Sequence, residues 1–210
     1  REGLQNNSKA IDEKVSSYAA GLTDSFQGDA DKRKGTVEYD IGSDDEQKYV
    51  KNYQPLRDEL IQWTVIQNLP TFAIKRYKDS IYRGELDPKS NKREGRGVIV
   101  YNSSRIYEGH WTNDRRHGQG YEYFSNGNTY EGEYKTGKVW GQGKYIWQSG
   151  EYYEGQWVEG YKEGYGVWQG VAGDNYVGQW RANKPYGFGK HTWGNQDEYE
   201  GEWKACLRHG

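Results

Sequence analysis

Four sets of residues in this chain are of types that do chemistry. Glu108, Glu131, Glu154 and Glu200 recur at a spacing of 23 residues or a multiple of it, and paired carboxylates are a common means of general acid–base catalysis. An active site is singular, however. A carboxylate that returns copy after copy, followed two residues on by Glu133, Gln156, Gln179 and Glu202, reads instead as a solvated face. Gly118-x-Gly120 and Gly141-x-Gly143 resemble part of a nucleotide-binding loop, but that fingerprint needs a third Gly three residues on, opening a helix. Tyr123 and Ile146 stand there instead. His110, His117, His191 and His209 are scattered without ligand spacing and read as turn or surface residues. Cys206 is the single cysteine, which excludes a disulfide framework and a multi-Cys zinc site and leaves a nucleophile without its paired motif. The expectation is a protein with no catalytic residues, no metal and no cofactor.

Composition narrows the class further. The 29 basic and 31 acidic residues leave a net charge of -2, too balanced for a non-specific nucleic-acid binder, which must neutralise many phosphates. Mean hydropathy is -1.21, and every apolar run is far shorter than the roughly 18 residues of a membrane-spanning helix. Leu, Ile, Val and Phe together number 31 of 210 residues, yet Tyr numbers 20, Trp 9 and Gly 29. So small an aliphatic share is usual in disordered chains; here the apolar area is carried by aromatic rings. The chain has no Met, so Arg1 does not read as a natural start and the chain is expected to be part of something longer. No signal or transit peptide is visible.

The rings and glycines are periodic. Tyr107, Tyr130, Tyr153, Tyr176 and Tyr199 follow one another at 23 residues. Two positions after each stands Gly109, Gly132, Gly155, Gly178 or Gly201; four positions after stands Trp111, Tyr134, Trp157, Trp180 or Trp203. Further on come Gly118, Gly141, Gly164, Gly187 and Gly210, and then Gly120, Gly143, Gly166 and Gly189. An earlier copy opens at Tyr82-Arg83-Gly84-Glu85-Leu86 with two extra residues before Gly95-x-Gly97. A fixed period of this length marks a repeat array.

Elements that could position such columns follow from the spacing. Tyr, Gly and Trp two apart share one face of a strand, and Glu or Gln between them take the other. Asn113–Gly118 and Ala182–Gly187 carry turn chemistry, as do Ser125-Asn126-Gly127-Asn128 and Gln148-Ser149-Gly150. Each period therefore reads as a β-hairpin. A register that sets the Trp opposite the first Gly of Gly-x-Gly, and the early Gly opposite the second, leaves bare backbone for rings to cross. Burial of each ring, at roughly 1.5–3 kcal/mol, would offset the cost of repeated Gly in strands. The fold class is thus an all-β repeat array: an elongated single-layer antiparallel sheet of stacked hairpins, about 50 Å long at ~4.8 Å per strand. Residues 55–80 precede it as a cap. Pro55–Leu69, with Leu56, Leu60 and Trp63 on one stripe, predicts an amphipathic helix that either covers the sheet's open edge or docks on another protein. Phe72 and Ile74 alternate as a further strand. Residues 1–54 read as an extended polar arm ordered by a partner, with one short strand at Thr36–Ile41. Lys32-Arg33-Lys34 and Lys75-Arg76-x-Lys78 read as solvated faces.

Tyr130-Glu131-Gly132-Glu133-Tyr134-Lys135-Thr136-Gly137 with Gly141-x-Gly143, and its copies, resembles the MORN repeat (membrane occupation and recognition nexus) over residues 81–210. Three departures stand out: Leu86 with the two-residue insertion, Val171-Ala172-Gly173 in place of polar turn residues, and Gln196 in place of a turn Gly. The resemblance implies a single-layered sheet with a grooved, aromatic-lined face. Members are mostly non-catalytic scaffolds in radial-spoke heads, cytoskeletal collars and membrane junctions, or auxiliary modules on enzymes. On this reading the chain is a cytoplasmic scaffold of a ciliary or cytoskeletal assembly, possessing no nucleic-acid partner. Its protein-binding residues are Tyr107, Trp111, Tyr130, Tyr134, Tyr153, Trp157, Tyr176, Trp180, Tyr199 and Trp203, which hold helical or extended segments of other subunits. A membrane-junction or phosphoinositide-binding module, and the targeting module of an enzyme whose catalytic domain lies outside these residues, are the alternatives. The neutral array disfavours membrane contact.

Overall fold

The computed structural model describes residues 55–209. The polar arm, the Thr36–Ile41 strand and the Lys32-Arg33-Lys34 run lie outside the described residues, as does Gly210. Among the described residues the fold is all-antiparallel, with strands ordered as they occur in the chain. They are β1 (Phe72–Arg76), β2 (Ser80–Leu86), β3 (Arg93–Tyr101), β4 (Ile106–Thr112), β5 (Arg115–Tyr123), β6 (Thr129–Lys135), β7 (Lys138–Ile146), β8 (Tyr152–Val158), β9 (Tyr161–Gln169), β10 (Asn175–Arg181), β11 (Lys184–Thr192), β12 (Glu198–Lys204) and β13 (Leu207–His209). They fall in two compact units whose described parts are residues 55–115 with 122–125, and 116–121 with 126–209.

The hairpin turns are tighter than the sequence suggested. Outside the insertion of the first copy they are two residues long with φ positive at both: 51° and 64° at Asn113 and Asp114, 51° and 90° at Thr136 and Gly137, 48° and 69° at Ala182 and Asn183. Turns of this hand match the right-handed twist of the flanking strands. The second strand therefore begins at Arg115 or Lys184, inside the segments expected to be turn. The second turn residue also ties each copy to the one before it. Gly160 N–H donates to Val139 O at 3.0 Å, and Asn183 N–H to Lys162 O at 3.1 Å.

Register follows the expected Gly pairing, with one refinement. Gly132 faces Gly143 within its hairpin, and Gly143 faces Gly155 of the next. The Trp–Gly pairing holds between copies, as in Gly141 opposite Trp157. Within a hairpin a bulge intervenes, and Trp157 faces Lys162 instead. The bulge is made by Gly141, Gly164 and Gly187, at φ 62°, 66° and 66°, the left-handed conformation that a Gly-initiated bulge requires. Its displaced N–H is not left to water. Gln142 N–H donates to Glu133 Oε1 at 2.9 Å, Tyr165 N–H to Gln156 Oε1 at 2.9 Å, and Phe188 N–H to Gln179 Oε1 at 2.8 Å. The Glu133, Gln156 and Gln179 column, expected as a merely solvated face, thus caps the bulges.

The three sequence departures are absorbed in turns. The insertion forms a loop closed by Asp87 N–H to Lys92 O at 2.9 Å, and Gly84 still faces Gly97. Val171 projects from its turn, 59% exposed. Gln196 adopts φ 73° where Gly127, Gly150 and Gly173 adopt 81°, 93° and 95°.

A helical segment precedes the sheet, but as two single turns, α1 (Asp58–Ile61) and α2 (Trp63–Ile66), broken at Gln62 with φ 51°. Asp58 Oδ1 accepts the Trp63 N–H at 2.8 Å and fixes the break. The buried residues are Ile61, Trp63 and Ile66, while Leu56 and Leu60, expected on the stripe, are half-buried. Ile61 and Trp63 would point about 200° apart on one straight helix; the break lets both face inward. α1 lies against β4, while Trp63 of α2 meets Phe72 of the edge strand β1 edge-on at 5.7 Å. Lys75, expected in a solvated basic run, is buried in β1 and donates to Asn91 O.

A Cβ on Gly143 would sit 2.6 Å from Cζ of Tyr130. Gly143→Ala is expected to cost about 3 kcal/mol, at the top of the overpacking range. Gly137→Asn, which copies Asn183 at the same turn position and meets nothing within 4 Å, should cost less than about 0.5 kcal/mol. Gln196→Gly should stabilise by about 1 kcal/mol by relieving the left-handed backbone. Urea midpoints of the three variants check all of these.

Candidate functional site

Tyr130, Tyr153 and Tyr176 each lie across the Gly pair of their own hairpin. Tyr130 donates its hydroxyl to Glu133 O at 3.1 Å, Tyr153 to Gln156 O at 3.0 Å, Tyr176 to Gln179 O at 3.0 Å and Tyr199 to Glu202 O at 3.1 Å. The first unit repeats the bond with Tyr82 to Glu85 O at 2.8 Å and Tyr107 to His110 O at 2.9 Å. Each Trp reaches back to the preceding copy. Trp157 Nε1 donates to Gly143 O at 3.0 Å, Trp180 to Gly166 O at 3.1 Å, Trp203 to Gly189 O at 3.0 Å and, in the first unit, Trp111 to Gly97 O at 3.2 Å.

The rings then interlock edge to face. In the second unit Tyr153 stands between Trp157 and Trp180 at centroid distances of 5.0 and 5.1 Å, and Tyr176 between Trp180 and Trp203 at 5.2 and 5.4 Å. Tyr130 meets Tyr134 and Trp157 at 5.3 and 5.7 Å, and Tyr199 closes the run on Trp203 at 5.2 Å. Trp111 of the first unit lies between Tyr82 and Tyr107 at 5.5 and 5.1 Å. Such contacts add about 0.5–1.5 kcal/mol each beyond burial. Tyr107, Tyr130, Tyr153 and Tyr176 are 0–2% exposed, and Trp111, Tyr134, Trp157, Trp180 and Trp203 are 3–6% exposed. Tyr199 is half-buried. The residues named from sequence as protein-binding are therefore brought together, in each unit, as its core.

Two further columns of this face were missed in the sequence. Tyr145, Trp168 and His191 fill the gaps between successive Tyr rings: Tyr145 pairs with Tyr130 and Tyr153, Trp168 with Tyr153 and Tyr176, His191 with Tyr176 and Tyr199. With Trp147 and Trp193 they form its half-buried surface. The signal was present, since each stands two residues beyond a Gly of the core face. His191, expected in a turn or on the surface, instead lies in β11, stacked on Trp193 at 4.4 Å. Burial lowers its pKa, against the opposing pull of Asp174.

The second missed column is cationic. Arg93, Arg116, Lys162 and Arg208 hold equivalent positions, where Val139 and Pro185 stand in the other copies. Each cation lies over rings: Arg93 over Trp111 at 4.2 Å, Arg116 over Tyr134 at 5.1 Å, and Arg208 over Trp193 and Tyr199 at 5.6 and 5.7 Å. Lys162 sits among Trp147, Tyr153 and Trp180 at 4.7, 5.0 and 5.0 Å. Desolvation lowers its pKa, with Glu151 acting the other way. Ring faces attract such cations, by about 0.5–2 kcal/mol depending on exposure.

The carboxylate column divides. Glu131, Glu154 and Glu200 are exposed, as a solvated face requires. Glu108 departs from that expectation: it is fully buried and accepts the Leu56 and Arg57 N–H groups at 2.7 and 2.6 Å. Cys206 is exposed in a turn and His209 in β13.

A sheet of stacked hairpins tied by a Tyr–Trp ladder belongs to the class of repeat arrays that act as interaction modules. A sequence model of the MORN repeat matches residues 89–104, 107–129, 130–152, 153–175, 176–198 and 199–210, more than half of the chain, and the chain belongs to the MORN-repeat family. MORN repeats are non-enzymatic modules for protein or membrane interaction. The copy at Tyr82 starts ahead of the matched residues, yet keeps the hydroxyl bond and ring contact of the others. A comparison with curated proteins finds no match.

The buried phenols make a pH prediction. Burial raises the pKa of Tyr82, Tyr130, Tyr153 and Tyr176, the last to about 12. Below the ordinary Tyr value of about 10 both folded and unfolded states hold these protons, and the ladder's contribution is complete. Above it the unfolded chain releases protons that the folded chain keeps, so stability falls as pH rises. Alkaline titration should show the phenolate absorbance of these residues emerging together with loss of the β-sheet circular dichroism. Smooth ionisation without unfolding would contradict it.

Proposed function

We propose that this chain is a non-catalytic scaffold that holds protein subunits of a larger assembly through its aromatic face. The observation that carries this reading is the half-buried row Tyr145, Trp147, Trp168, His191 and Trp193 over the closed Tyr–Trp ladder of the second unit. Rings with one side open are favoured anchors at protein interfaces. The ladder beneath is already fully bonded, so this row offers partner contact at little conformational cost. Tyr130, Tyr134, Tyr153, Trp157, Tyr176, Trp180 and Trp203 support the platform from below, and half-buried Tyr199 continues it. A cytoplasmic setting in a cilium or the cytoskeleton is the one that the family's scaffolding members favour.

The test is co-purification from ciliated cells with wild type and with the double variant Trp147→Ser/Trp168→Ser. These positions are half-buried, so the variant should keep the wild-type circular dichroism. Cytoskeletal or axonemal subunits recovered with wild type should fall at least tenfold, as expected for loss of two interface anchors. Undiminished recovery would overturn the reading. Flotation of the chain with anionic vesicles at physiological salt, lost at high salt, would support the membrane-junction alternative instead.

A further inference from the structure

We propose that the half-open indoles of the second unit take a proline-rich segment of a partner protein, wound as a polyproline II helix and running across the strands. This rests on the row being the partner-binding surface, and it names the chemistry of the occupant.

The indoles form one line. Trp147 and Trp193 hold equivalent positions two copies apart. The copy between them has Gly170 at that position, and the ring of its Trp168 fills the place: a Cβ on Gly170 would lie 2.9 Å from Cη2 of Trp168. Three successive copies thus each present one half-buried indole. The flanking two are braced before anything binds. Tyr145 packs on Trp147 at 4.7 Å and Lys162 lies over it at 4.7 Å, while His191 stacks on Trp193 at 4.4 Å and Arg208 lies over it at 5.6 Å. Anchors fixed in advance lower the ordering cost of association.

Their polar atoms set these indoles apart from the ladder beneath. Trp157, Trp180 and Trp203 each donate Nε1–H to a backbone carbonyl of the preceding copy. Trp147, Trp168 and Trp193 have no acceptor for Nε1–H among the described residues, and each of these nitrogens is open to solvent. Once per copy, then, the row offers a flat ring and an N–H donor. A fitting occupant brings an apolar group and a free carbonyl at the same interval, with no N–H of its own to strand against the rings. Proline lacks the backbone N–H, and a polyproline II helix leaves its carbonyls unbonded.

Pitch selects the conformation. Each copy advances the sheet by two strands, ~9.6 Å at ~4.8 Å per strand. A polyproline II helix returns to the same face every three residues, about 9.3 Å on. One of its faces therefore stays in step with all three indoles, to within about 0.6 Å over two copies. A β-strand returns to the same face every second residue, ~6.7 Å on, and is out of step at the first copy. An α-helix comes closest after seven residues, about 10.5 Å on, and its carbonyls are consumed by its own hydrogen bonds. Aromatic-lined grooves receive polyproline II segments as a general mode of recognition.

The probe is a fluorescent peptide of four Ala-Pro-Pro triplets, titrated into the whole chain and followed by anisotropy. Saturable binding is expected, weakened at least tenfold by Trp147→Ser/Trp168→Ser. Trp168→Phe, which keeps a ring and removes the donor, should weaken it severalfold. A shuffled peptide of the same composition, without the three-residue period, should bind severalfold more weakly. Circular dichroism of each variant verifies the fold. Absent binding of the triplet peptide, equal binding to the double variant, or equal binding of the two peptides would overturn the proposal. So would tighter binding of a Leu- and Lys-containing helical peptide of the same length, or self-association in sedimentation that the double variant abolishes. If subunits co-purify with wild type and are lost with Trp147→Ser/Trp168→Ser while the triplet peptide does not bind, the scaffold reading stands and this proposal falls.

Discussion

A tyrosine ring lying across a cross-strand pair of glycines is the contact on which the rest depends. Where Gly132 faces Gly143, the absence of side chains lets the Tyr130 ring approach the backbone closely enough to donate its hydroxyl to the carbonyl of Glu133. The phenol is then out of water with its hydrogen bond made, as burial of a polar group demands. The next Trp closes over the same glycine pair and donates to the Gly143 carbonyl. Backbone flatness, ring burial and polar satisfaction are met by one device, repeated. An open sheet with few aliphatic residues can therefore have a core, because the rings of one hairpin are the packing of the next.

The same device accompanies a bulge in the hairpins of Tyr82, Tyr130, Tyr153 and Tyr176. A ring across the glycine pair sets the strand geometry there, and the two extra residues of the bulge at Gly141, Gly164 or Gly187 add local twist. The displaced N–H finds the side-chain oxygen of Glu133, Gln156 or Gln179. A column that looks like surface polarity in the sequence is in fact part of the hairpin's hydrogen-bond accounting. The cations at Arg93, Arg116, Lys162 and Arg208 finish the other face, their stems over rings that would otherwise be wetter.

The two sides of the sheet consequently differ in kind. In each unit one side carries the Tyr–Trp ladder, which in the second unit is closed below and half-open above. The other is ordinarily polar and becomes apolar in two places: beneath α1–α2 in the first unit, where Val98 is sealed, and around Val167 and Val177 in the second, where Tyr165 and Phe188 remain open.

Sequence alone determined the period, the strands, the aromatic face and the pairing of Gly132 with Gly143, because side chains two apart share a face and a 23-residue return leaves little freedom in register. It also located the helical segment and the strand at Phe72 and Ile74. Other features needed the tertiary structure. The bulge shifts pairing by two residues, so Trp157 faces Lys162 and not Gly164 in its own hairpin, while it faces Gly141 in its neighbour; alternation within a strand carries no mark of that offset. The break at Gln62 comes from the direction in which the sheet lies beneath Ile61 and Trp63. Glu108, identical in local sequence to its exposed column mates, is buried because residues 51 and 52 positions earlier fold onto it. Local pattern fixes which face a side chain takes, whereas what covers that face is decided by segments far away in the chain.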